Sequence, residues 1–242
     1  VTGGGRDILK DDRIGKLWGG DDLMLLNKRQ FLLVLSSIVL HPGTFIQAQP
    51  KYSETILALQ MAYASELQAH LNYLRYAEKA RLDNYPAIAH LFISFATSES
   101  FHARNFKQIL SDLGVQGIEF PKLEVKVSST RVNLKNGLDY ELKDIDQRYP
   151  HVYEKSKPED HEEAIRNIIH AWDSEKQHRD IIRMVRSGTG IFFGILSRKI
   201  ERASVQYFVC QVCGSTMIEL PTDSCPICNS QASRYKEVER IT

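Results

Sequence analysis

The chain is poor in cysteine, and its cysteines are not spread out. All four, Cys210, Cys213, Cys225 and Cys228, fall within nineteen residues near the C-terminus. A disulfide framework more often spreads its cysteines through the fold. Net charge is scarce too. The formal balance is +1 over 242 residues, which leaves no global field to favour nucleic acid or a membrane surface. There is no low-complexity tract and no short internal repeat. Long apolar runs are also missing: Phe31–Leu40 falls well short of the roughly 20 residues that a helical membrane span needs.

That short run belongs to another pattern. Asn27-Lys28-Arg29-Gln30 precedes it, and a polar stretch ending near Ala48 follows. This is the basic, apolar and polar layout of an export signal. Lys28-Arg29-Gln30-Phe31-Leu32 also resembles a twin-arginine signal with Lys in place of the first Arg, a route that carries proteins already folded around their metals. Export to the periplasm is therefore expected. The alternatives are a retained N-terminal anchor, or a short helix packed on a cytoplasmic protein. Residues 1–23 would be a strange prefix to a signal, and Met24 is a plausible start.

From Tyr52 to about Ser187 the apolar residues recur at helical spacing. One helix is expected over Ser53–Leu82, and a second from Pro86, whose missing N–H costs nothing in a first turn, to Gly114. A long connection follows, in which Glu124-Val125-Lys126-Val127 alternates weakly and suggests an extended segment. A third helix is expected over Leu134–Lys155. Ser156-Lys157-Pro158-Glu159 reads as a capping box that opens a fourth helix, running to Ser187-Gly188. Two short turns and one long crossover describe a mainly α chain, a ferritin-like four-helix bundle. The domains expected are an N-terminal prefix and signal (1–50), the bundle (51–188), a linker (189–206) and a small four-cysteine metal module (207–242).

The inner faces of these helices carry acids. The second helix reads Ile88, Phe92, Phe95, Glu99, His102, Phe106, Ile109, Leu113 at 3-4 spacing, so its apolar stripe runs through Glu99 and His102. The fourth repeats this with Ile168, Trp172, Glu175, His178 and Ile182. Residues three apart share one helix face, so each Glu-x-x-His pair offers a carboxylate and an imidazole to one point. Glu66 shares a face with Ala62, Ala69 and Tyr73, and Glu141 lies between Leu138 and Ile145 with Asp144 one turn on. An unpaired carboxylate in a core costs several kcal/mol or becomes neutral. Four helices that each bring an acid inward compound that cost unless cations lie between them. Glu from two helices and Glu-x-x-His from the other two is the ligand pattern of di-iron bundles. Manganese or mixed metals suit the same oxygen-rich set. The bland alternative is a set of satisfied core acids and histidines. His70, four residues after Glu66, is expected to pack beside the site. His90, His151, His161 and His170 are expected at the surface or in packing.

Cys210-x-x-Cys213-Gly214 and Cys225-Pro226-x-Cys228 form two knuckles that can present four thiolates tetrahedrally. The spacing marks a metal site without choosing between zinc, structural and redox-silent, and iron, a one-electron carrier. A pair of disulfides is a third possibility.

In combination these motifs resemble the rubrerythrins over about residues 52–240. Ala64-Ser65-Glu66-Leu67-Gln68-Ala69 resembles the family's first ligand helix. The two Glu-x-x-His pairs match its second and fourth helices, and the cysteines match its rubredoxin-like iron ligands. The resemblance implies metal ligation by Glu66, Glu99, His102, Glu141, Glu175 and His178. It places Tyr73 and Tyr149 beside the metals. Asp144 falls where the family has a further Glu that exchanges with His on one iron as the redox state changes. Asp is one methylene shorter, so Asp144 is the departure. The resemblance also implies reduction of hydrogen peroxide to water at a di-iron centre. Glu66, Glu99, Glu141, Glu175, Tyr73 and Tyr149 would serve the reaction, with electrons entering from a redox partner protein through the four-cysteine iron. It further implies a homodimer or larger, paired head to tail so that one copy's thiolate iron serves the other's di-iron site, with the linker holding each module away from its own bundle. An iron-oxidising or storage ferritin relative would instead need a large shell. An electron carrier without peroxide turnover is favoured by zinc in the cysteine site.

Overall fold

Helical spacing of apolar residues becomes a four-helix body in the computed structural model, which describes residues 51–118, 123–187 and 205–240. The expected export signal and most of the linker lie outside these. Helix α1 spans Ser53–Leu82 and α2 spans Pro86–Asp112. Asn84 makes the turn between them with a left-handed φ of 60°. Gly114, at φ 84°, ends α2 while the Val115 amide bonds back to the Leu110 carbonyl at 2.9 Å, the closure that a left-handed C-terminal residue permits. Glu124–Val127 forms no strand.

The third helical segment differs from expectation. It begins earlier, as α3 over Thr130–Lys143. It then widens into a π-helical turn, Asp144–Arg148, before resuming as α4 over Tyr149–Ser156. The π turn has a positional effect. In an α-helix residues seven apart share a face and residues eight apart diverge by most of a right angle. The one residue that a π turn adds brings Glu141 and Tyr149 onto the same inner face, and both are 1% exposed.

The capping box is not formed either. Ser156 is buried and donates to the Val152 carbonyl at 2.9 Å. Glu159 turns away to accept from the Glu54 and Thr55 amides at 3.1 and 2.8 Å, so it caps α1 across more than 100 residues. The last helix, α5, starts only at Glu162 and runs to Ser187. His161 Nδ1 accepts from the Ala164 amide at 3.2 Å at its start. A long connection between α2 and α3 and tight ones elsewhere complete the bundle.

Beyond residue 205 the chain forms a three-stranded antiparallel sheet in the order β2-β1-β3, with β1 at Phe208–Cys210, β2 at Thr216–Met217 and β3 at Tyr235–Glu237. This module rests on its own bundle. Tyr207, Val209 and Val238 join the bundle's apolar cluster. Buried His90 on α2 donates from Nε2 to the Val238 carbonyl at 2.6 Å and meets the Tyr207 ring edge-on. His90 is thus a docking residue rather than simple packing.

Among the described residues, the buried apolar residues of the bundle fall into two blocks. One holds Ala69–Ala80 of α1, Ile88–Phe101 of α2, Leu134 and Leu138 of α3, and Ile181–Val185 of α5. The other holds Ala58–Tyr63, Ala103–Leu110, Tyr149, Val152 and Ala164–Ala171. On each helical segment the sequence-predicted acid stands at the junction between the two blocks.

Candidate metal centre

At that junction Glu66, Glu99, His102, Glu141, Glu175 and His178 are each about 1% exposed or less. Their ligand atoms form two clusters, each within 4.8 Å. One is Glu66, Glu99, His102 and Glu175, and the other is Glu99, Glu141, Glu175 and His178. Glu99 and Glu175 belong to both, which is the arrangement of two carboxylates bridging a pair of cations. The rings face the acids through Nδ1. His102 Nδ1 lies 2.9 Å from Glu99, 3.2 Å from Glu175 and 3.3 Å from Glu66. His178 Nδ1 lies 3.2 Å from Glu175 and 3.3 Å from Glu99. Glu141 Oε2 is buried without a partner, and Glu99 Oε1 and Glu175 Oε1 have only an imidazole nitrogen nearby, at 3.3 and 3.2 Å and outside good hydrogen-bond geometry. Buried oxygens left this way are costly unless something positive completes them, and a pair of divalent metals does so.

The electrostatics make the same point. Burial, then the Glu175 charge, push Glu66 up to about 8, and burial with the same neighbour holds Glu141 well above the carboxylate range. Burial also pushes on Glu99 and Glu175, but the charges and hydrogen bonds of His102 and His178 prevail, and both end below the ordinary value. Burial opposes charge on His178, yet Glu99 and Glu175 carry it up to about 9. Without cations, shared protons hold this cluster together. With them, the metal takes the protons' place.

Tyr73 donates to Glu141, and Tyr149 donates to Glu66 Oε1 at 2.5 Å. Burial keeps both phenols far above their usual pKa, so they remain O–H donors. Each thereby fixes a carboxylate's orientation. Asp144 is not brought into either cluster. It is 2% exposed and paired with Arg148, whose guanidinium also stacks on Tyr140. The shorter side chain and the pairing with Arg148, four residues on in the sequence, account for the difference. His70 donates to the Ala96 carbonyl at 2.7 Å, a packing role as expected.

The four sulfurs form a second cluster. Cys210 and Cys228 lie 3.8 Å apart, Cys213 and Cys225 3.5 Å apart. A tetrahedron with metal–sulfur bonds of ~2.3 Å has edges of about 3.8 Å, so the cage fits one ion. All four are free thiols, with no disulfide. Backbone amides of Ser215, Cys228 and Ser230 face the sulfurs of Cys213, Cys225 and Cys228, as paired knuckles require.

The two sites touch within one chain. Gly214, next to Cys213 and at φ 82°, lies so close to His102 Nε2 that a Cβ would collide with it. Its carbonyl accepts from Ser98 Oγ at 2.6 Å and from Thr216 Oγ1 at 3.2 Å. With its own proton on Gly214, the Thr216 hydroxyl accepts from His178 Nε2 at 3.2 Å. In the neutral ring that leaves Nδ1 as a lone pair aimed at the acids. Gln177, Arg104 and Asn105 complete the seat, binding Thr216, Gln211 and Val212 of the module. The expectation that the linker holds the module away from its own bundle falls on residues mostly outside those described; within one chain these contacts form a complementary seat for the module. None of the seat residues follows a periodic pattern that could have marked it beforehand. Only the glycine after Cys213 hinted at close approach.

The family model described as rubrerythrin matches residues 58–185, a little over half of the chain. Rubrerythrin-2 of Clostridium acetobutylicum is 31% identical over 185 residues, covering 74% of this chain and 93% of that protein. Nigerythrin of Nitratidesulfovibrio vulgaris is 25% identical over 175 residues, covering 72% and 81%. Among solved structures, mixed-valence nigerythrin superposes with a TM-score of 0.65 at 22% identity, covering 76% of this chain and 86% of that one. A Desulfovibrio desulfuricans bacterioferritin, described with its diiron site in different catalytic states, gives a TM-score of 0.59 at 20% identity over 63% of this chain and 89% of its own. The solved structures place the helical body among ferritin-like bundles, and the family match together with the carboxylate–histidine and four-cysteine clusters supports a di-iron centre and a four-cysteine iron. The chain belongs to the rubrerythrin family.

Proposed function

We propose that this chain is a di-iron peroxidase of oxidative-stress defence, reducing hydrogen peroxide to water with electrons delivered through the four-cysteine iron. The observation that carries this is the pair of clusters sharing Glu99 and Glu175, with the cysteine knuckle seated against His102. Glu66, Glu99, His102, Glu141, Glu175 and His178 would hold the metals. Bound there in its reduced state, a metal pair would supply two electrons and polarise the peroxide oxygens. The balance is one peroxide, two electrons and two protons to two waters. Tyr73 and Tyr149 hold Glu141 and Glu66 in place as O–H donors. The two apolar blocks above and below exclude bulk water. A redox partner protein is the electron source. Asp144, held by Arg148, is assigned no ligand role.

We also propose that two copies pair head to tail and exchange modules, so that the seat described in cis is filled in trans with the same contacts. Mixing Glu99→Ala with Cys213→Ser chains would then restore turnover that neither has alone. Export is proposed on the pattern at residues 27–48, and N-terminal sequencing of the protein from its native cell tests it.

The deciding experiment reduces the iron-loaded protein anaerobically and adds peroxide. Stoichiometric reoxidation of both iron chromophores is expected. Reduced centres indifferent to peroxide would leave an electron carrier, and a large shell in size-exclusion chromatography would favour iron storage.

A further inference from the structure

Tyr235, from β3, is 6% exposed, and its phenol oxygen sits among three possible acceptors. It is 2.8 Å from Ser215 Oγ and 3.2 Å from the Cys225 sulfur, with the Met217 thioether at 3.4 Å. Burial keeps the phenol protonated, so one proton serves all three. Ser215 is itself engaged. Its Oγ lies 3.0 Å from Gln177 Oε1, on α5 beside His178. The amide orientation of Gln177 is fixed, because Oε1 also accepts from the Thr216 backbone N–H at 3.1 Å. A carboxamide oxygen only accepts, so the Ser215 proton goes to Gln177. Ser215 Oγ is then an acceptor, and the Tyr235 proton goes to it rather than to the sulfur.

We propose that Tyr235 and Ser215 form a hydroxyl relay through which Gln177 of the bundle controls hydrogen bonding to Cys225, so that seating the module lowers the reduction potential of its iron. When seated, the relay runs Tyr235 to Ser215 to Gln177, and the Cys225 sulfur lacks the phenol's proton. When unseated, Ser215 loses its acceptor and is free to donate to the Tyr235 oxygen. The phenol proton then turns to the sulfur. A hydrogen bond to a thiolate ligand stabilises the reduced centre, whose extra negative charge rests partly on sulfur. The module therefore accepts an electron more readily off its seat and holds it less tightly on it. Tyr235 and Ser215 act as positioning residues. The relay requires iron in the four-cysteine site and makes no demand on peroxide turnover, so it survives or fails independently of the proposed activity.

The test is a redox titration of the four-cysteine iron, followed in its visible bands, in the full iron-loaded chain. Ser215→Ala removes the competing acceptor and should raise the one-electron reduction equilibrium about tenfold, which is about 59 mV. Gln177→Ala, outside the module, should raise it likewise and serves if Ser215→Ala does not load iron. Tyr235→Phe alone should leave the potential near wild type, and in its background neither change should have an effect. The last arm separates the relay from simple solvent exposure of the iron on undocking, which would persist without the phenol. A potential that falls in Tyr235→Phe would mean the phenol already donates to Cys225 and would overturn the proposal. So would an unchanged potential in Ser215→Ala, or a rise that survives in Tyr235→Phe.

Discussion

Gly214 of the cysteine module occupies the space in which His102 of the bundle ends, and no side chain fits between them. The contact joins the residue after a thiolate to a ring that faces the acids. Gly214→Ala should unseat the knuckle, both by collision and because φ 82° costs an L-residue about 1–2 kcal/mol. The expected result is normal iron content at both sites, but electron exchange between them slowed at least tenfold. Metal analysis with stopped-flow spectroscopy checks it.

Sharing of Glu99 between the clusters predicts unequal effects of similar substitutions. Glu99→Ala removes a ligand from both metal positions and should abolish di-iron loading while preserving the thiolate-iron spectrum. Glu141→Ala touches one cluster only and should leave one position with most of its metal. Cys213→Ser should do the reverse of Glu99→Ala. Equal loss of both centres in Glu99→Ala and in Cys213→Ser would show that the sites are not separable.

In the metal-free protein the sign of the pH dependence follows from Glu66 and His178. Both have folded-state values raised above the unfolded ones, Glu66 to about 8 and His178 to about 9. Their stabilisation is complete below the unfolded values and is lost as pH rises through the folded ones. Glu99 and Glu175, held low, lose theirs only in acid. Chelated protein should therefore become less stable to urea between about pH 6.5 and 9, and metal loading should reverse the slope because it displaces those protons. Denaturation at several pH values, with and without iron, reads this directly.

Arg148 compensates Asp144 in a place where no solvent reaches the carboxylate. Arg148→Leu leaves a buried acid alone and should destabilise the protein by roughly 3 kcal/mol. Adding Asp144→Asn should recover most of the loss. Chemical denaturation of the two single variants and the double variant gives the coupling. Additive effects would show that the pair does not interact.

The features legible in the sequence are those set by local periodicity. The stripe through Ile88, Phe92, Phe95, Glu99 and His102 places two ligating side chains without any tertiary information, and the knuckle spacing does the same for the cysteines. Contacts between distant segments were not legible. Ser156-Lys157-Pro158-Glu159 has the composition of a local cap, yet Glu159 satisfies amides of another helix because the fold brings the start of α1 to it. The π turn has no composition that distinguishes Asp144–Arg148 from ordinary helix. It is favoured by the burial of Glu141 and Tyr149 together. Gln177 looks like any polar residue between Glu175 and His178 until Thr216 is seen against it.

The interior of the helical body is not continuous oil. Every strut passes from one hydrophobic compartment, through a charged floor, into another. Such a building is cooperative only while the floor is riveted. Stripped of iron, the floor is left to shared protons alone, so a chelator should broaden a single calorimetric peak or split it into two.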